Sequence, residues 1–578
     1  MSPALDAALR DRALAWQADD PDPATREALV ALLERAERGE ESAVAELADA
    51  FAGPLAFGTA GLRGAMGPGE NRMNLAVVSR AARGLADHLL ASLPQARGEQ
   101  APLVMIGYDA RYNSRAFAER SAAILVAAGC RVRLLDRFGP TPLIAFAVRR
   151  HGADAGIVVT ASHNPPADNG YKVYLGGRLA EDSGRGVQIV PPADAQIAAR
   201  IAATGPVRDI PVADGGWEEL GDALREDYLA AITALPREDS PRHVRIVHTA
   251  LHGVGTELAV AALHRVGFTD VHPVAKQADP DPDFPTVAFP NPEEKGAIDL
   301  ALEQARVVEA DVVIANDPDA DRCAVAVPDP HRDAWRMLTG DELGVLLGDH
   351  LARHHGYRGV FASSVVSSRW LGEVVTALGQ ERATTLTGFK WISRAPGIVF
   401  GYEEAIGYCV LPDVVRDKDG LSTALVVAEM AAMAKAADTS LVERLDDLAR
   451  EHGLYATGQL SIRVEDLSRI GAMMQQLRDR PPRELAGSSV TAMQDLAHGS
   501  AETTGLPPTE GVLLATRDDG RVIVRPSGTE PKLKCYLEVI ERIAADASSA
   551  DLGAHRERAA EHLERLRADM EAALELPE

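Results

Sequence analysis

The stretch Thr-Ala-Ser-His-Asn-Pro at residues 160–165 decides the predicted fold. It follows the apolar run Gly-Ile-Val-Val at 156–159, which is short and β-branched enough to predict a buried strand. Asn164 and the prolines after it oppose a helix, so Ser162 should lie in a loop at the carboxyl end of that strand. Ligands of open α/β sheets bind at this end of the strands. The stretch therefore predicts an α/β domain with a serine nucleophile, the alternative being a hydroxyl that merely caps a turn.

Two further strands are predicted to end in charged loops. The run 309–315 leads into Asn-Asp-Pro-Asp-Ala-Asp-Arg at 316–322, and the run 396–400 leads into Gly-Tyr-Glu-Glu-Ala-Ile-Gly-Tyr at 401–408. Because each strand end presents different chemical groups, the three loops together predict one shared active site.

One order of elements occurs three times along the chain. In the first copy a strand at 104–107 precedes a helix at 115–128, the helix-ending Gly129 and a strand at 131–135. The same order starts again near residues 245 and 360. In each copy another helix and then a loop-bearing strand follow, which predicts three α/β domains of related topology that arose by internal repetition.

The two ends of the chain differ from this pattern. Residues 1–50 predict two polar, acidic helices, and the chain after about residue 455 predicts a smaller α+β lid domain that ends in a long charged helix. The predicted fold is α/β, with three related domains and the lid around a central cleft. Its parts are a helical extension (1–50), domain I (51–225), domain II (226–328), domain III (329–455) and domain IV (456–578).

Composition limits the classes of function. The 578 residues carry a formal charge of −25 with only 4% aromatic residues, which disfavours a general nucleic-acid binder. The four cysteines lie far apart without metal-ligand spacing, which is typical of a reduced, cytoplasmic setting. We see no signal peptide, and charges interrupt the most apolar helical stretch, 423–437, so no membrane association is expected.

Asp317, Asp319 and Asp321 alternate in a tight loop. Three carboxylates around one point repel each other unless a cation lies between them, which indicates a metal site. A calcium-binding EF-hand is excluded because Arg322 and Pro328 stand where that loop needs glycine and glutamate. We therefore predict Mg²⁺, shared with a phosphate oxygen.

Two other loops are predicted to bind the substrate. The loop 525–532 combines a guanidinium, hydroxyls and a glycine-bearing turn, which predicts a phosphate clamp made by Arg525, Ser527, Gly528 and Thr529. The loop 401–408 offers carboxylates for sugar hydroxyls, with Lys390 just before it.

The glycine-rich stretch 57–64 surrounds Arg63. So many glycines predict a backbone that approaches another group closely, although a flexible linker is the alternative.

A serine, a metal loop, a polyol-binding loop and a phosphate clamp together indicate phosphoryl transfer on a sugar phosphate. An acyl hydrolase is the competing enzyme class, but Ser162 lacks the flanking glycines of a nucleophile elbow. A sugar-phosphate sensor is the competing binding class, and it would need neither the serine nor the aspartates.

At these motifs the chain resembles the α-D-phosphohexomutase superfamily, from about residue 55 to 540. Thr-Ala-Ser-His-Asn-Pro, Asp-Pro-Asp-Ala-Asp-Arg and Arg-Pro-Ser-Gly-Thr-Glu-Pro occur in that order. Gly-Thr-Ala-Gly-Leu-Arg-Gly at 58–64 and Gly-Tyr-Glu-Glu-Ala at 401–405 are similar to the phosphoglucomutase and phosphopentomutase branch. In the sugar loop Glu404, Ile406 and Tyr408 occupy the glutamate, serine and histidine places of many members.

The resemblance implies an enzyme that carries phosphate on Ser162 and holds Mg²⁺ through Asp317, Asp319, Asp321 and the phosphoserine. The phosphoryl group would pass to a sugar monophosphate, and the resulting bisphosphate would turn and return its other phosphate. Glucose phosphate is the favoured substrate, followed by pentose phosphate and mannose phosphate. Four residues match positions that steady the phosphoryl group or handle protons: Arg63, His163, Lys172 and Arg322.

Overall fold

The computed structural model describes residues 5–59, 61–331, 334–464, 468–500, 505–527 and 532–575. Its helices are α1 (Ala7–Asp19), α2 (Pro23–Glu37), α3 (Glu41–Ala50), α4 (Leu75–Ser92), α5 (Ser114–Ala127), α6 (Thr141–Arg150), α7 (Ala193–Ala202), α8 (Asp222–Ile232), α9 (Thr256–Arg265), α10 (Asp299–Val307), α11 (Gly340–His354), α12 (Trp370–Ala377), α13 (Phe389–Ile392), α14 (Gly420–Ala436), α15 (Leu441–His452), α16 (Ser468–Asp479) and α17 (Ser549–Leu574).

The strands alternate with these helices over most of the chain, which confirms the α/β fold class. They are β1 (Leu62–Ala65), β2 (Leu103–Tyr108), β3 (Arg131–Leu135), β4 (Ala155–Val159), β5 (Asp168–Leu175), β6 (Val187–Gln188), β7 (Glu218–Leu220), β8 (Ile246–Thr249), β9 (Val271–Pro273), β10 (Val312–Ala315), β11 (Ala324–Asp329), β12 (Ala334–Met337), β13 (Val360–Ser364), β14 (Glu381–Thr385), β15 (Ile398–Glu403), β16 (Gly407–Cys409), β17 (Leu454–Arg463), β18 (Glu484–Leu485), β19 (Ser488–Asp495), β20 (Val512–Thr516), β21 (Arg521–Pro526) and β22 (Lys532–Glu541).

The three predicted copies share one strand order. Strands β3, β2 and β4 lie side by side and parallel, and so do β9, β8 and β10 in the second copy and β14, β13 and β15 in the third. The first helix of each copy is followed by a glycine with positive φ, namely Gly129 (97°), Gly267 (97°) and Gly379 (72°). In every copy the first strand is central and the loop-bearing strand is its neighbour, which confirms the predicted repetition.

The chain forms two compact units. The first comprises Met1–Ala326 together with Gly407–Glu429, and the second comprises Val327–Ile406 together with Met430–Glu578. The first unit contains the sheet β1-β5-β4-β2-β3-β7, in which β4 is buried along its whole length. The segment 407–429 thus groups with the serine and aspartate loops, although it lies far from both in sequence.

The N-terminal extension contains three helices where the sequence analysis predicted two. Gly39 has φ of 81° and separates α2 from α3, so the second predicted helix is broken there. Asp22 caps α2 and Pro23 begins it, as predicted. Leu29, Leu33 and Leu47 pack with residues of α4 and α5 in one hydrophobic core, which attaches the extension to the first α/β domain.

The C-terminal part has a different architecture, as predicted. Its strands form an antiparallel sheet in the order β17-β22-β21-β20-β19-β18, and α16 and α17 pack against this sheet. The sheet pairs β21 with β22 on either side of the predicted phosphate loop.

Of the described helices, none alone has the length and apolar character to cross a membrane. Taken together, α14 and α15 have a sufficient length and composition, with a bend of 88° between them.

Candidate active site

Ser162 lies directly after the buried strand β4, as predicted. Its φ of 51° is left-handed, and its side chain is buried. The backbone N–H of Ser162 donates to the Thr160 hydroxyl at 2.8 Å, which fixes the turn that exposes the serine to the aspartate loop. The strand thus delivers the hydroxyl, and the turn sets its direction.

Arg111 binds the backbone of the serine loop, and the sequence did not predict this role. Its Nη2 donates to the carbonyls of Ser162 (2.6 Å) and Asn164 (2.5 Å), and its Nη1 donates to those of Pro165 (2.8 Å) and Asp168 (3.3 Å). A guanidinium has enough donors in a rigid fork to bind several carbonyls at once. Arg111 lies just beyond the carboxyl end of β2. Since the other functional loops are also charged and follow strands, this position could have predicted a role for it.

Ser162 Oγ contacts both candidate proton acceptors. It donates to Asp317 Oδ2 at 2.8 Å and lies 3.2 Å from His163 Nδ1. Burial lowers the pKa of His163 well below its ordinary value, and the cations Arg322 and Arg63 lower it further. The imidazole is therefore neutral and can accept a proton.

The three aspartates converge, as their spacing predicted. One carboxylate oxygen from each of Asp317, Asp319 and Asp321 lies within 4.8 Å of the others, and all three side chains are buried. Burial and the two neighbouring carboxylates raise the pKa of Asp317 well above its ordinary value. Asp317 therefore needs a nearby cation to stay ionised beside the other two carboxylates.

Lys172 lies between two of these carboxylates. Its Nζ donates to Asp319 Oδ2 (2.7 Å) and Asp321 Oδ2 (2.9 Å). Burial alone would lower the pKa of Lys172, but the two carboxylates raise it, so the ammonium stays charged. The other oxygen of each carboxylate, Oδ1, is buried and has no hydrogen-bond partner in the described part of the chain. Buried unpaired carboxylate oxygens are suitable metal ligands, so the cluster can hold a metal ion.

Two contacts of the aspartate loop were not anticipated. Thr141, the first residue of α6, donates its hydroxyl to Asp319 Oδ2 at 2.5 Å. Lys418 Nζ lies 3.2 Å from Asp321 Oδ2, and it comes from the segment 407–429. The charged run Asp-Lys-Asp at 417–419, just before the apolar helix α14, was the signal in the sequence.

Arg63 and Arg322 also reach the serine loop. Arg63 belongs to β1, and its Nη1 donates to Asn164 Oδ1 at 3.3 Å. Arg322 donates its backbone N–H to Asp317 Oδ1 at 3.0 Å, and its side-chain Nε lies 3.9 Å from Asp317 Oδ2. The structure thus brings all five predicted catalytic residues together with the aspartates.

The glycine-rich stretch was expected to approach another group closely, and the structure shows that this group is the backbone of a neighbouring strand. Gly61 has φ of 74°, and a Cβ there would lie 1.9 Å from the backbone carbonyl oxygen of Tyr171. The close approach is therefore to strand β5, with which β1 pairs antiparallel. This pairing places Arg63 opposite Gly170 and beside the serine loop.

Residues 401–406 of the predicted sugar loop belong to the second unit, and Gly407 and Tyr408 belong to the first. The prediction of a loop over 401–408 was wrong in extent. Strand β15 continues through Glu403, because Gly401 and Tyr402 pair with β13. Glu404 follows at the strand end. Its Oε2 accepts hydrogen bonds from the hydroxyls of Ser367 (3.0 Å) and Ser364 (3.2 Å). Burial, with Asp341 nearby, raises the pKa of Glu404.

The predicted phosphate clamp is described only in part. Arg525 lies near the end of β21, directly opposite Lys534 of β22. The backbone N–H of Ser527 donates to the Lys532 carbonyl at 2.8 Å and closes the hairpin. Gly528 and Thr529 lie outside the described residues. Lys390 lies on the short helix α13 and is partly exposed.

The residues around Glu404 and the strand that carries Arg525 are connected by hydrogen bonds and ion pairs. Arg521, four residues before Arg525 on β21, donates to the carbonyls of Ser367 (2.6 Å) and Val365 (3.0 Å). The buried Glu538 pairs with both Arg521 (3.2 Å) and Arg369 (2.6 Å). Since Ser367 also binds Glu404, these contacts connect the acidic loop to the clamp strand within the second unit.

Comparisons with known proteins agree with this arrangement. Models of the phosphoglucomutase/phosphomannomutase family match the chain in four parts: α/β/α domain I at residues 54–206, α/β/α domain II at 226–330, α/β/α domain III at 339–452 and the C-terminal domain at 464–549. A "probable phosphomannomutase" from Haemophilus influenzae is 44% identical, over 82% of this chain and 94% of its own.

Other relatives bear different substrate names. A phosphopentomutase from Pongo abelii is 34% identical, over 92% of each chain. A phosphoglucomutase from Staphylococcus epidermidis is 33% identical, over 84% of this chain and 90% of its own. A crystal structure of a "putative phosphomannomutase" from Thermus thermophilus superposes with a TM-score of 0.68 at 26% identity, over 90% of this chain and 99% of that one.

The fold and the buried serine beside three carboxylates are those of an α-D-phosphohexomutase. The chain belongs to the phosphoglucomutase/phosphomannomutase family. It is a sugar-phosphate mutase, an isomerase that transfers a phosphoryl group within its substrate.

Proposed function

We propose that this enzyme interconverts glucose 1-phosphate and glucose 6-phosphate through a phosphoserine at Ser162. The observation that carries the proposal is the position of Ser162 Oγ, 2.8 Å from Asp317 Oδ2 and 3.2 Å from His163 Nδ1, beside the aspartate cluster. The reacting groups come from the predicted domains I (51–225) and II (226–328).

The reaction consists of two phosphoryl transfers. In the first, the bond between phosphorus and Ser162 Oγ breaks, a bond to a sugar hydroxyl oxygen forms, and the hydroxyl proton passes to a base. The product is a sugar bisphosphate. After it turns, its other phosphoryl group passes to Ser162 Oγ, and the sugar oxygen takes a proton back. The enzyme returns to its phosphorylated form, and the isomer leaves.

Three cations and one neutral base have separate roles in this proposal. Arg63 and Arg322 neutralise the transferring phosphoryl oxygens, and Lys172 keeps Asp319 and Asp321 ionised. His163 is the candidate base, because its imidazole is neutral while Lys172 is held as a cation.

Asp317, Asp319, Asp321 and Ser162 Oγ would hold Mg²⁺. The hard carboxylate oxygens and the unpaired Oδ1 atoms of Asp319 and Asp321 fit this ion. When bound, Mg²⁺ supplies positive charge that stabilises the transferring phosphoryl group.

Glucose is proposed on the basis of the motifs at 58–64 and 401–405 and the glucose-specific name of one relative. The test compares kcat/KM for glucose 1-phosphate, ribose 1-phosphate and mannose 1-phosphate under identical conditions. We expect glucose 1-phosphate to give the highest value, and a clear preference for either other sugar would overturn this assignment.

A pentose phosphate is the second candidate substrate. Ile406 and Tyr408, at the serine and histidine places of many superfamily members, are each only 1% exposed. Neither side chain is accessible to a sugar, so the carboxylates Glu403 and Glu404 carry the hydroxyl recognition of this loop. A loop with fewer polar contacts suits a smaller sugar, and the phosphopentomutase relative covers 92% of this chain.

The phosphate clamp yields a prediction for both reaction directions. Arg525 faces Lys534 across the hairpin, and two like charges directly opposite destabilise a sheet unless an anion lies between them. Arg525→Ala removes a bidentate contact and should lower kcat/KM by about two orders of magnitude, or roughly 2–3 kcal/mol.

A mutase binds its substrate in two orientations, so Arg525→Ala should impair both directions by similar factors. Arg525→Lys is the matched control, because it keeps the charge and loses only the fork geometry. Its kcat/KM should lie between those of the wild type and Arg525→Ala. Phosphorylation of Ser162 by a small phosphoryl donor should be largely spared. Damage to one direction only, after correction for the equilibrium, would refute a shared clamp.

A further inference from the structure

One cavity of the first unit is lined by none of the residues of the serine loop. It has a volume of about 950 Å³ and lies between the C-terminal halves of α6 and α8, the loop around Arg185 and the segment before Lys418. A cavity of this size accommodates a metabolite-sized ligand. Its charged lining residues are Arg149, Arg150, Arg185, Arg416, Asp182, Asp227 and Asp413.

Two of the arginines are already paired with carboxylates. Arg150 Nη2 lies 3.3 Å from Asp227 Oδ2, and Arg185 Nη1 lies 2.9 Å from Asp182 Oδ1. The only remaining carboxylate of the lining is that of Asp413, and its side chain is exposed. The other two arginines therefore determine the charge of the inner wall.

Arg149 and Arg416 make their hydrogen bonds to neutral carbonyls instead. Arg149 donates to the carbonyls of Arg185 (2.8 Å) and Asp413 (3.2 Å), and Arg416 donates to that of Asp182 (3.2 Å). Within the described residues neither guanidinium has a carboxylate within 4.0 Å, and the Nε of each is buried without a hydrogen-bond partner.

These two guanidiniums also repel each other. Burial lowers the pKa of Arg149, and the charge of Arg416 lowers it further, while the charge of the exposed Asp413 opposes this effect in part. A protein with a formal charge of −25 thus keeps two neighbouring guanidiniums without a paired carboxylate among the described residues at one cavity. Such an arrangement is stable when an anion enters and the guanidinium forks bind it.

We propose that this cavity is a second anion-binding site, separate from the Ser162 site, and that it takes a small molecule bearing a phosphate group. Arg149 and Arg416 bind the phosphate, and Arg185 and Arg150 at the exposed rim contact the rest of the molecule. The size of the cavity favours a phosphorylated metabolite over inorganic phosphate, although both share the group that the arginines recognise.

The cavity is connected to the aspartate loop by two elements. Arg149 lies near the end of α6, whose first residue, Thr141, donates to Asp319 Oδ2 at 2.5 Å. Arg416 precedes Asp417, which accepts from the Tyr174 hydroxyl at 2.7 Å, and Lys418, which pairs with Asp321. An anion that fixes Arg149 and Arg416 therefore acts on elements that end at the metal-binding carboxylates.

The first test uses hydrogen–deuterium exchange of the full chain in inorganic phosphate and, separately, in chloride at equal ionic strength. We expect phosphate to slow exchange in peptides covering 145–150, 182–186 and 413–418. In the double variant Arg149→Gln/Arg416→Gln this protection should be lost, with binding about tenfold weaker or more. Arg115→Gln, an exposed arginine on α5, is the matched control and should keep the protection.

Arg149→Gln/Arg416→Gln also removes bonds to carbonyls, so a milder variant guards against a folding defect. Arg185→Gln changes an exposed rim residue and should weaken binding by about threefold or more, with the melting temperature unchanged. Protection that is absent in the wild type, or equal in the wild type and the double variant, would overturn the proposal.

A second measurement asks which phosphate-bearing molecule the cavity binds. It also tests whether occupancy of the cavity affects the aspartate loop. A hexose bisphosphate and a nucleoside monophosphate are compared with inorganic phosphate by the same exchange experiment, and we expect one of the organic phosphates to bind about tenfold more tightly. Its occupancy should shift the Mg²⁺ affinity, measured by calorimetry, at least about twofold in the wild type and not in the double variant. Equal Mg²⁺ affinity with and without it would refute the connection.

Discussion

Ser162→Ala is expected to lower kcat by on the order of 10⁴-fold or more, because it removes the oxygen that accepts and returns the phosphoryl group. The fold should survive the change. Ser162 has a left-handed φ of 51°, which alanine tolerates about as well as serine, and Arg111 holds the loop through backbone carbonyls alone. The measurement is kcat in both directions, together with the melting temperature.

A matched control separates this chemistry from a general effect of removing a buried hydroxyl. Ser121 is buried in the same domain and donates to the Phe117 carbonyl of its own helix, at 2.7 Å. Ser121→Ala should keep most of the activity. Intact mass after incubation with glucose 1,6-bisphosphate should show a phosphoryl group on the wild type and on Ser121→Ala, but none on Ser162→Ala. Near-wild-type turnover of a folded Ser162→Ala protein would disprove the phosphoserine mechanism.

The parts of the site that the sequence predicted are those with a local signal. Strand β4 and the Ser162 turn are encoded within ten residues, by a β-branched run followed by prolines. The aspartates were predicted to converge because their alternate spacing lies in one tight loop, and their oxygens do so. The repetition was visible because helix-ending glycines recur at matching places in each copy.

The parts that were missed depend on contacts between distant segments. Lys418 binds Asp321 only because the segment 407–429 packs with the first unit, which no periodicity in that segment indicates. Arg111 acts through carbonyls of another loop, and any residue type can supply a carbonyl. The sequence therefore contains no complementary side chain that would reveal the partner.

The errors in secondary structure also have physical causes. The loop was predicted to begin at Gly401, but the backbone at 401–402 pairs with β13, and this pairing outweighs the low strand preference of glycine. In the extension, the polar composition of residues 1–50 concealed the break at Gly39, where a single left-handed residue ends α2.

The second large effect is expected for Asp319→Asn, which replaces a charged ligand of the proposed metal site by a neutral amide. Asp319 Oδ1 is buried without a hydrogen-bond partner in the described residues, so it is available to bind a cation. Hard cations prefer charged oxygen ligands, and we expect the Mg²⁺ affinity, measured by calorimetry, to fall about tenfold or more. Activity should fall with it and recover in part at high Mg²⁺ concentration.

The fold should again tolerate the change, because the amide oxygen of the introduced asparagine can still accept from the Thr141 hydroxyl, as Asp319 Oδ2 does at 2.5 Å. Asp270→Asn is the matched control, since Asp270 is a half-exposed carboxylate of domain II outside the cluster. It should leave the Mg²⁺ affinity unchanged.

Chelation should abolish the activity of the wild type, and added Mg²⁺ should restore it. If activity persists after exhaustive chelation, or if Asp319→Asn binds Mg²⁺ as tightly as the wild type, then the three aspartates do not serve as the metal site. In that case the charge of Lys172 would be their main partner, and Lys172→Met rather than Asp319→Asn would be the variant that disrupts the loop.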